Sequence, residues 1–359
     1  MKHWKLVAAA ALLSACSSEG SNATSDSANP SSSAGSNATL TGAGATFPYP
    51  IYSKWFSDYA TETGVKINYQ SIGSGGGIRQ VQEQTVDFGA TDAPMTNDEM
   101  AKAKGGAVLH FPTVLGADVI TYNLPGLTSR LRLTGPVLAD IFLGRVTKWN
   151  APAIAALNPG VNLPSTDILV VHRSDGSGTT YIFTSYLTAV SPAWRAGPGA
   201  GKEVAWPVGL GGKGNEGVAG QVKQTPGSIG YVELAYAKQN GLAYALMQNA
   251  AGQFVEPTLE SITAAAGAIA DTLTDNSDYR LSIINPNGAT AYPISSMTWL
   301  LVYQNQTDAA KGRALVDFLR WAYEKGQPAA SALDYAPLPD KMRAKLVTRL
   351  SSIKLPAGA

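Results

Sequence analysis

The sequence predicts a two-lobed α/β protein, and three observations carry that expectation. Short apolar runs alternate with Gly/Ser turns and helix-like stretches, the pattern of strands flanked by helices. Two longer apolar runs, Phe111 to Tyr122 and Tyr292 to Tyr303, could carry the chain from one lobe to the other and back. The turns around Thr46, Ser74, Asp92 and Arg173 to Thr179 each follow a strand and are rich in Gly, Ser, Thr or acid. In such sheets ligands gather beyond the strand ends, where turns of this kind sit.

The chain opens with an address. In residues 1–15, Lys2 and Lys5 lead, Leu6 to Leu13 form a short apolar core and small residues follow, as in a secretory signal peptide. The run is too short for a membrane-spanning helix. Leu13-Ser-Ala-Cys16 matches the bacterial lipoprotein box, in which cleavage leaves the cysteine at the new N-terminus for lipidation; a plain signal peptide is the alternative. Residues 16–39 are mostly Ser, Asn, Ala, Gly and Thr and predict a flexible, lipid-anchored tether.

The body follows. Leu40 to Thr46 reads as a strand and a Gly-rich turn, then Ile51, Trp55 and Tyr59 recur at a helical step of four. Val65 to Tyr69 is a strand, Gly73 to Gly77 a turn, and Ile78 and Val81 begin the next helix. Val86 to Ala90 is a third strand, ending at Thr91-Asp-Ala-Pro94. This alternation predicts a mostly parallel sheet. After the first long run come short helices at Ala139 to Phe142 and Ala153 to Leu157, then a strand at Ile168 to Val171 and the turn Arg173 to Thr179. Trp206 to Gly214 reads as another Gly-rich loop, its Gly211 to Gly214 part a rim or packing loop, with a helix near Val218 and Val222 and a strand at Ile229 to Val232. The last amphipathic helices carry Leu315, Phe318, Leu319 and Tyr323, and Met342 to Leu350. The expected division is lobe I at 40–112 and 290–359, and lobe II at 113–289.

Composition narrows the function. Of 359 residues 45% are hydrophobic and 15% charged, with formal net charge +1, which argues against a nucleic-acid or membrane-surface protein. Any anion specificity must come from local groups. Cys16 is the sole cysteine, so no internal disulfide is possible, and His3, His110 and His172 are scattered, so neither a metal site nor a cofactor is expected.

Arg173-Ser-Asp-Gly-Ser-Gly-Thr179 has the chemistry of an anion site. Free N–H groups and the dipole of a helix start meet Ser177 and Thr179 hydroxyls, and Arg173 adds a full charge. Alone, it fits an ordinary capped loop equally well. With the other three turns it implies a cleft lined by hydroxyls and N–H groups, suited to a tetrahedral oxyanion. Enzyme motifs fit poorly. Lys213 follows no Walker spacing, neither Ser74 nor Ser177 lies in Gly-x-Ser-x-Gly, and the clustered His and Asp of a metal phosphatase are missing.

Leu40-Thr-Gly-Ala-Gly-Ala-Thr-Phe47, Gly73-Ser-Gly-Gly76, Val86 to Pro94, Arg173 to Thr179, Trp206 to Asn215, Gly230 to Asn240 and Leu333 to Pro339 together resemble the phosphate-binding proteins of bacterial phosphate-specific ABC importers. The resemblance runs from about residue 40 to about residue 350 and departs most at Gly252 to Gly288. It implies a two-lobed periplasmic binding protein fold of type II kind, a lipid-anchored monomer in the periplasm or at the cell surface, and a permease and an ATPase as partners. It implies no catalysis. Carried over by position, it implies phosphate contacts from Thr46, the Phe47 N–H, Ser74, Asp92, Arg173, Ser177, Gly178 and Thr179, with Asp175 bracing Arg173. Asp92 would accept the proton that phosphate carries and sulfate lacks; read alone, it could instead cap a helix before Pro94. A receptor for another tetrahedral oxyanion, a secreted phosphatase and a phosphate sensor that feeds no transporter remain the alternatives.

Overall fold

The computed structural model describes residues 38–267 and 277–356. The expected signal segment, Cys16 and the tether up to residue 37 lie outside them. In chain order the strands are β1 (Thr39–Gly44), β2 (Lys66–Ser71), β3 (Phe88–Thr91), β4 (Val108–Tyr122), β5 (Arg132–Leu133) and β6 (Leu169–Arg173). They continue as β7 (Leu210–Gly212), β8 (Ser228–Glu233), β9 (Ala243–Tyr244), β10 (Leu246–Gln248), β11 (Phe254–Val255) and β12 (Ser295–Tyr303). The principal sheet runs β2-β1-β3-β12-β4-β8-β6-β7, with β9 also on β4, while β5, β10 and β11 form a small second sheet.

The two long apolar runs are β4 and β12. Both are buried almost throughout, as strands covered on two faces must be. β4 pairs with β12 over Val108–Ala117 and then changes partner, pairing with β8 over Asp118–Tyr122. One continuous strand thus joins two strand groups. The expected mostly parallel sheet needs correction. β1 is parallel to β2 and β3, and β6 to β7 and β8, but β12 is antiparallel to β3 and β4, and β4 is antiparallel to β8. A strand that crosses out and one that returns beside it must run in opposite senses.

Helices cover each group. In the helix Tyr49–Thr63, Ile51, Tyr52, Trp55, Phe56 and Tyr59 are all buried, and Gly64 ends it at φ 78° with its N–H on the Ala60 carbonyl. The Phe56 and Tyr59 rings each lie 5.3 Å from Phe318, and the Trp55 indole donates to the Gly326 carbonyl at 2.7 Å. In the second group, Phe183 of the helix Gly178–Val190 stacks on Tyr231 at 4.2 Å, and His172 stacks on Trp206. His172 is therefore a packing residue.

His110 is fully buried. Its Nε2 accepts from the Met95 N–H at 3.0 Å, so Nδ1 carries the proton given to Asp278 at 2.7 Å; burial holds its pKa below the ordinary value against the pull of Asp278. Asp278 also bonds Arg349. The described residues of the stretch 252–288 thus include β11, the helix Leu259–Gly267 and a polar anchor onto the start of β4.

The helix Ser74–Gln82 approaches β1 through Gly77, where a Cβ would lie 2.5 Å from Gly44 Cα and 2.7 Å from the Ala43 carbonyl. Gly77→Ala is expected to reduce unfolding free energy in urea by about 1–3 kcal/mol through overpacking. Gly220→Ala, in the helix Gly214–Gln224 with open space around its Cβ, is expected to raise it by up to ~1 kcal/mol.

Candidate functional site

The site is built at strand ends. Arg173 closes β6 and is 3% exposed. Its Nε and Nη2 donate to the two carboxylate oxygens of Asp175 at 2.8 and 2.6 Å, and Nη1 donates to Thr179 Oγ1 at 3.2 Å. Burial works against the guanidinium charge, but the hydrogen bonds and charge of Asp175 outweigh it and raise the Arg173 pKa. Burial likewise works against the Asp175 carboxylate, and Arg173 reverses this, holding it below its ordinary range. Asp175 also accepts the Gly214 N–H at 3.0 Å.

Asn215 sets the hydroxyls on both sides. Its Oδ1 accepts the Glu233 N–H at 2.9 Å, which fixes the amide's orientation. Its Nδ2 then donates to Thr46 Oγ1 at 2.8 Å and to Thr179 Oγ1 at 3.0 Å, and its backbone N–H reaches Thr46 Oγ1 at 3.2 Å. Each threonine oxygen therefore accepts two hydrogen bonds, from Asn215 twice for Thr46 and from Asn215 and Arg173 for Thr179. A hydroxyl has two lone pairs and one proton. With the lone pairs used, both hydroxyls are left as donors.

Three helix N-termini meet here, at Tyr49, Ser74 and Gly178. The turn at Thr46 and Phe47 is held by its carbonyls, which accept from Tyr236 Oη at 2.7 Å and Tyr335 Oη at 2.6 Å. Ser177 caps its helix by accepting the Thr180 N–H at 3.0 Å. Ser74 Oγ accepts the Asp92 N–H at 3.1 Å and faces Asp92 Oδ2 at 3.4 Å. A Cβ on Gly178 would fall 2.5 Å from both Asp92 Oδ2 and Ser74 Oγ, so only glycine lets these turns come so close. The Gly75 N–H reaches the Gly176 carbonyl at 2.8 Å across the same junction.

Asp92 is the odd member of a donor-rich site. It is 1% exposed, and Thr298 Oγ1 donates to its Oδ1 at 2.7 Å. Burial raises its pKa to about 7, against the pull of Thr298, Arg173 and Ser74. A carboxyl poised near neutrality can hold or accept one proton within the usual pH range.

The structure brings Thr46, Phe47, Ser74, Asp92, Arg173, Ser177, Gly178 and Thr179 together, with Asp175 behind Arg173. Cys16 lies outside the described residues. Sequence reasoning missed Asn215 and Thr298. Asn215 directly follows the Gly211 to Gly214 loop that reads as a rim and gives no signal of its own; Thr298 is a hydroxyl set between Met297 and Trp299 in an apolar run, and that misplaced polarity was the available signal.

Known proteins share this arrangement of chain. Residues 28–325 match the PBP superfamily domain. The phosphate-binding protein PstS of Xylella fastidiosa (strain Temecula1 / ATCC 700964) is 50% identical over 314 residues, 87% of this chain and 85% of that protein. The chain belongs to the PstS family. PstS of Pasteurella multocida (strain Pm70) is also 50% identical, over 86% of this chain and 88% of its own length. The solved phosphate-binding protein of Stenotrophomonas maltophilia aligns at TM-score 0.65 and 21% identity, covering 87% of this chain and 94% of that one. A high-affinity periplasmic phosphate-binding protein (PfluDING) bound with phosphate aligns at TM-score 0.69 and 23% identity, covering 88% and 94%. Both are likenesses of fold, and the chain has the two-lobed periplasmic binding fold.

Because the Asn215 side chain makes three hydrogen bonds in a buried site, Asn215→Ala is expected to lower unfolding free energy by about 1–3 kcal/mol. Urea denaturation of the ligand-free protein measures this.

Proposed function

We propose that this protein captures one inorganic phosphate between its lobes and delivers it to the permease of a phosphate ABC importer. The observation that carries the reading is a set of donors converging around one buried carboxylate. The Thr46, Ser74, Ser177 and Thr179 hydroxyls, the N–H groups near Phe47 and Gly178 and the Arg173 fork would surround the anion, with Asp175 fixing the fork. Binding and release are its whole chemistry, so it is a transport receptor and not an enzyme. Half-identical relatives named for phosphate binding support this reading over a phosphatase or a receptor for another oxyanion.

The protein is exported, in keeping with its family. We propose that Cys16 carries the lipid anchor after removal of 1–15, that 16–39 is the tether, and that a monomer works in the periplasm or at the cell surface with permease and ATPase subunits as partners. The proposed lobes are 40–112 with 290–359, and 113–289. No helix among the described residues is long and apolar enough to cross a membrane.

Selectivity follows from counting protons. One proton must lie between Asp92 and the oxygen facing it. Phosphate brings its own near neutral pH; sulfate brings none, and an ionised Asp92 would oppose it as a like charge. With the Asp92 pKa near 7, however, protonating it becomes easy below neutrality, and a protonated Asp92 can donate to sulfate. Sulfate is therefore expected to displace labelled phosphate poorly at about pH 8 and more effectively at about pH 5. Asp92→Asn, a permanent donor, is expected to narrow the phosphate–sulfate gap at the higher pH and to flatten its pH dependence. Equal sulfate competition by both proteins at both pH values would contradict this role. Arg173→Ala is expected to weaken phosphate binding at least tenfold, the loss of about 1.4 kcal/mol or more of charge-assisted bonding, in an equilibrium dialysis measurement.

A further inference from the structure

Two buried carboxyls beside the site have no part in the binding scheme. Asp118 and Glu233 stand directly opposite each other in the β4–β8 register, and both are 0% exposed. Side chains at paired positions share one face of the sheet, with Cβ atoms about 4.5–5.5 Å apart. Among the described residues neither oxygen of the Asp118 carboxyl has a hydrogen-bond partner, nor has Oε1 of Glu233, while Glu233 Oε2 accepts the Ala235 N–H at 2.7 Å. Their place in the fold is specific. Asp118 is the first residue of β4 to leave β12 for β8, and Glu233 ends β8 and caps the next helix.

The neighbours are mostly acids or phenols. The cation acting on Asp118 is Arg173, from the end of β6; Glu233 and Asp92 act against it. Tyr292, before β12, gives its hydroxyl to the Asp118 carbonyl at 3.3 Å. Around Glu233 are Tyr335, whose hydroxyl is given to Phe47, then Asp334 and Tyr236. Arg173 is already bound on two nitrogens by Asp175. Ionising Asp118 and Glu233 together would add two negative charges next to a site that must admit an anion and already contains Asp92.

We infer that Asp118 and Glu233 form a proton-holding carboxyl pair at the strand junction, and that phosphate capture requires the pair to keep its protons. Burial drives both groups the same way, well above their ordinary ranges. The coupling is reciprocal: an anion in the cleft strengthens the pair's hold on its protons, and loss of those protons weakens the hold on the anion. The inference rests on the phosphate reading of the cleft, and it adds a second proton-sensitive element beside Asp92.

The test compares the wild type with Asp118→Asn and Glu233→Gln, each of which keeps shape while removing one ionisable group. Phosphate affinity is measured calorimetrically from about pH 6 to about pH 10. Ionisation of phosphate is common to all three proteins and cancels in the ratio of their dissociation constants. The ratio of wild type to variant is expected to grow with pH, by up to about tenfold per unit where the pair titrates. A ratio constant across the range overturns the inference.

Melting of the ligand-free proteins gives an independent arm. A carboxyl whose folded pKa is raised contributes stability that is complete below its unfolded pKa and is lost as pH rises through the folded one. Wild-type melting temperature is therefore expected to fall with rising pH more than that of either variant; parallel curves overturn the pair. A wild type that binds no phosphate at any pH, but melts with the expected difference, defeats the phosphate reading and leaves the carboxyl pair standing.

Discussion

A guanidinium with almost no exposure, held on two nitrogens by one carboxylate, is the constraint on which the rest of the site depends. Arg173 and Asp175 are two residues apart at the end of β6, so the strand-to-helix turn between them must follow a path that brings their side chains edge to edge. That path ends at Ser177, which caps the helix behind it, and places Gly178 against Asp92 and Ser74. Breaking a buried pair of this kind typically costs about 3–5 kcal/mol, because one charge is left without a partner. The pair therefore fixes the geometry of the turn as well as the charge of the site.

From this pair a polar network spreads to both strand groups. Thr179 and Gly214 are bound to its two ends, and Asn215 extends it to Thr46 and to the backbone of Glu233. The network settles which way the hydroxyls point: oxygens that already accept twice can only donate further. Among the ion pairs outside it, Lys202 with Glu99 and Lys238 with Asp334 are each at 2.6 Å and partly exposed, where such contacts contribute little. In the proposed reading, much of the attraction for an anion comes from neutral dipoles held in fixed directions, in keeping with a net charge of +1.

What the sequence revealed, and what it withheld, follows from the range of each interaction. Ile51, Trp55 and Tyr59 were legible as a buried helix face because helical periodicity is local. The turns at Thr46, Ser74, Asp92 and Arg173 were legible because Gly, Ser and Thr mark both close backbone approach and helix starts. The two crossing strands could be read from their apolar length, but not their antiparallel sense, which depends on where the chain re-enters the sheet. Asn215 was invisible for a similar reason. Its partners Thr46 and Thr179 are far from it in sequence, and a loop of glycines reads the same whether it forms a rim or delivers an asparagine to a cleft.

The site combines an arginine, ordered dipoles and a carboxylate that no simple anion trap would include. The central consequence of the proposed reading is one tightly held phosphate per chain, chosen over sulfate by a proton. The most direct measurement is calorimetric titration of the phosphate-stripped wild type at about pH 8, first with phosphate and then with sulfate. The account predicts one phosphate bound per chain and a far weaker response to sulfate. Equal affinity for the two anions, or no phosphate binding, would contradict it.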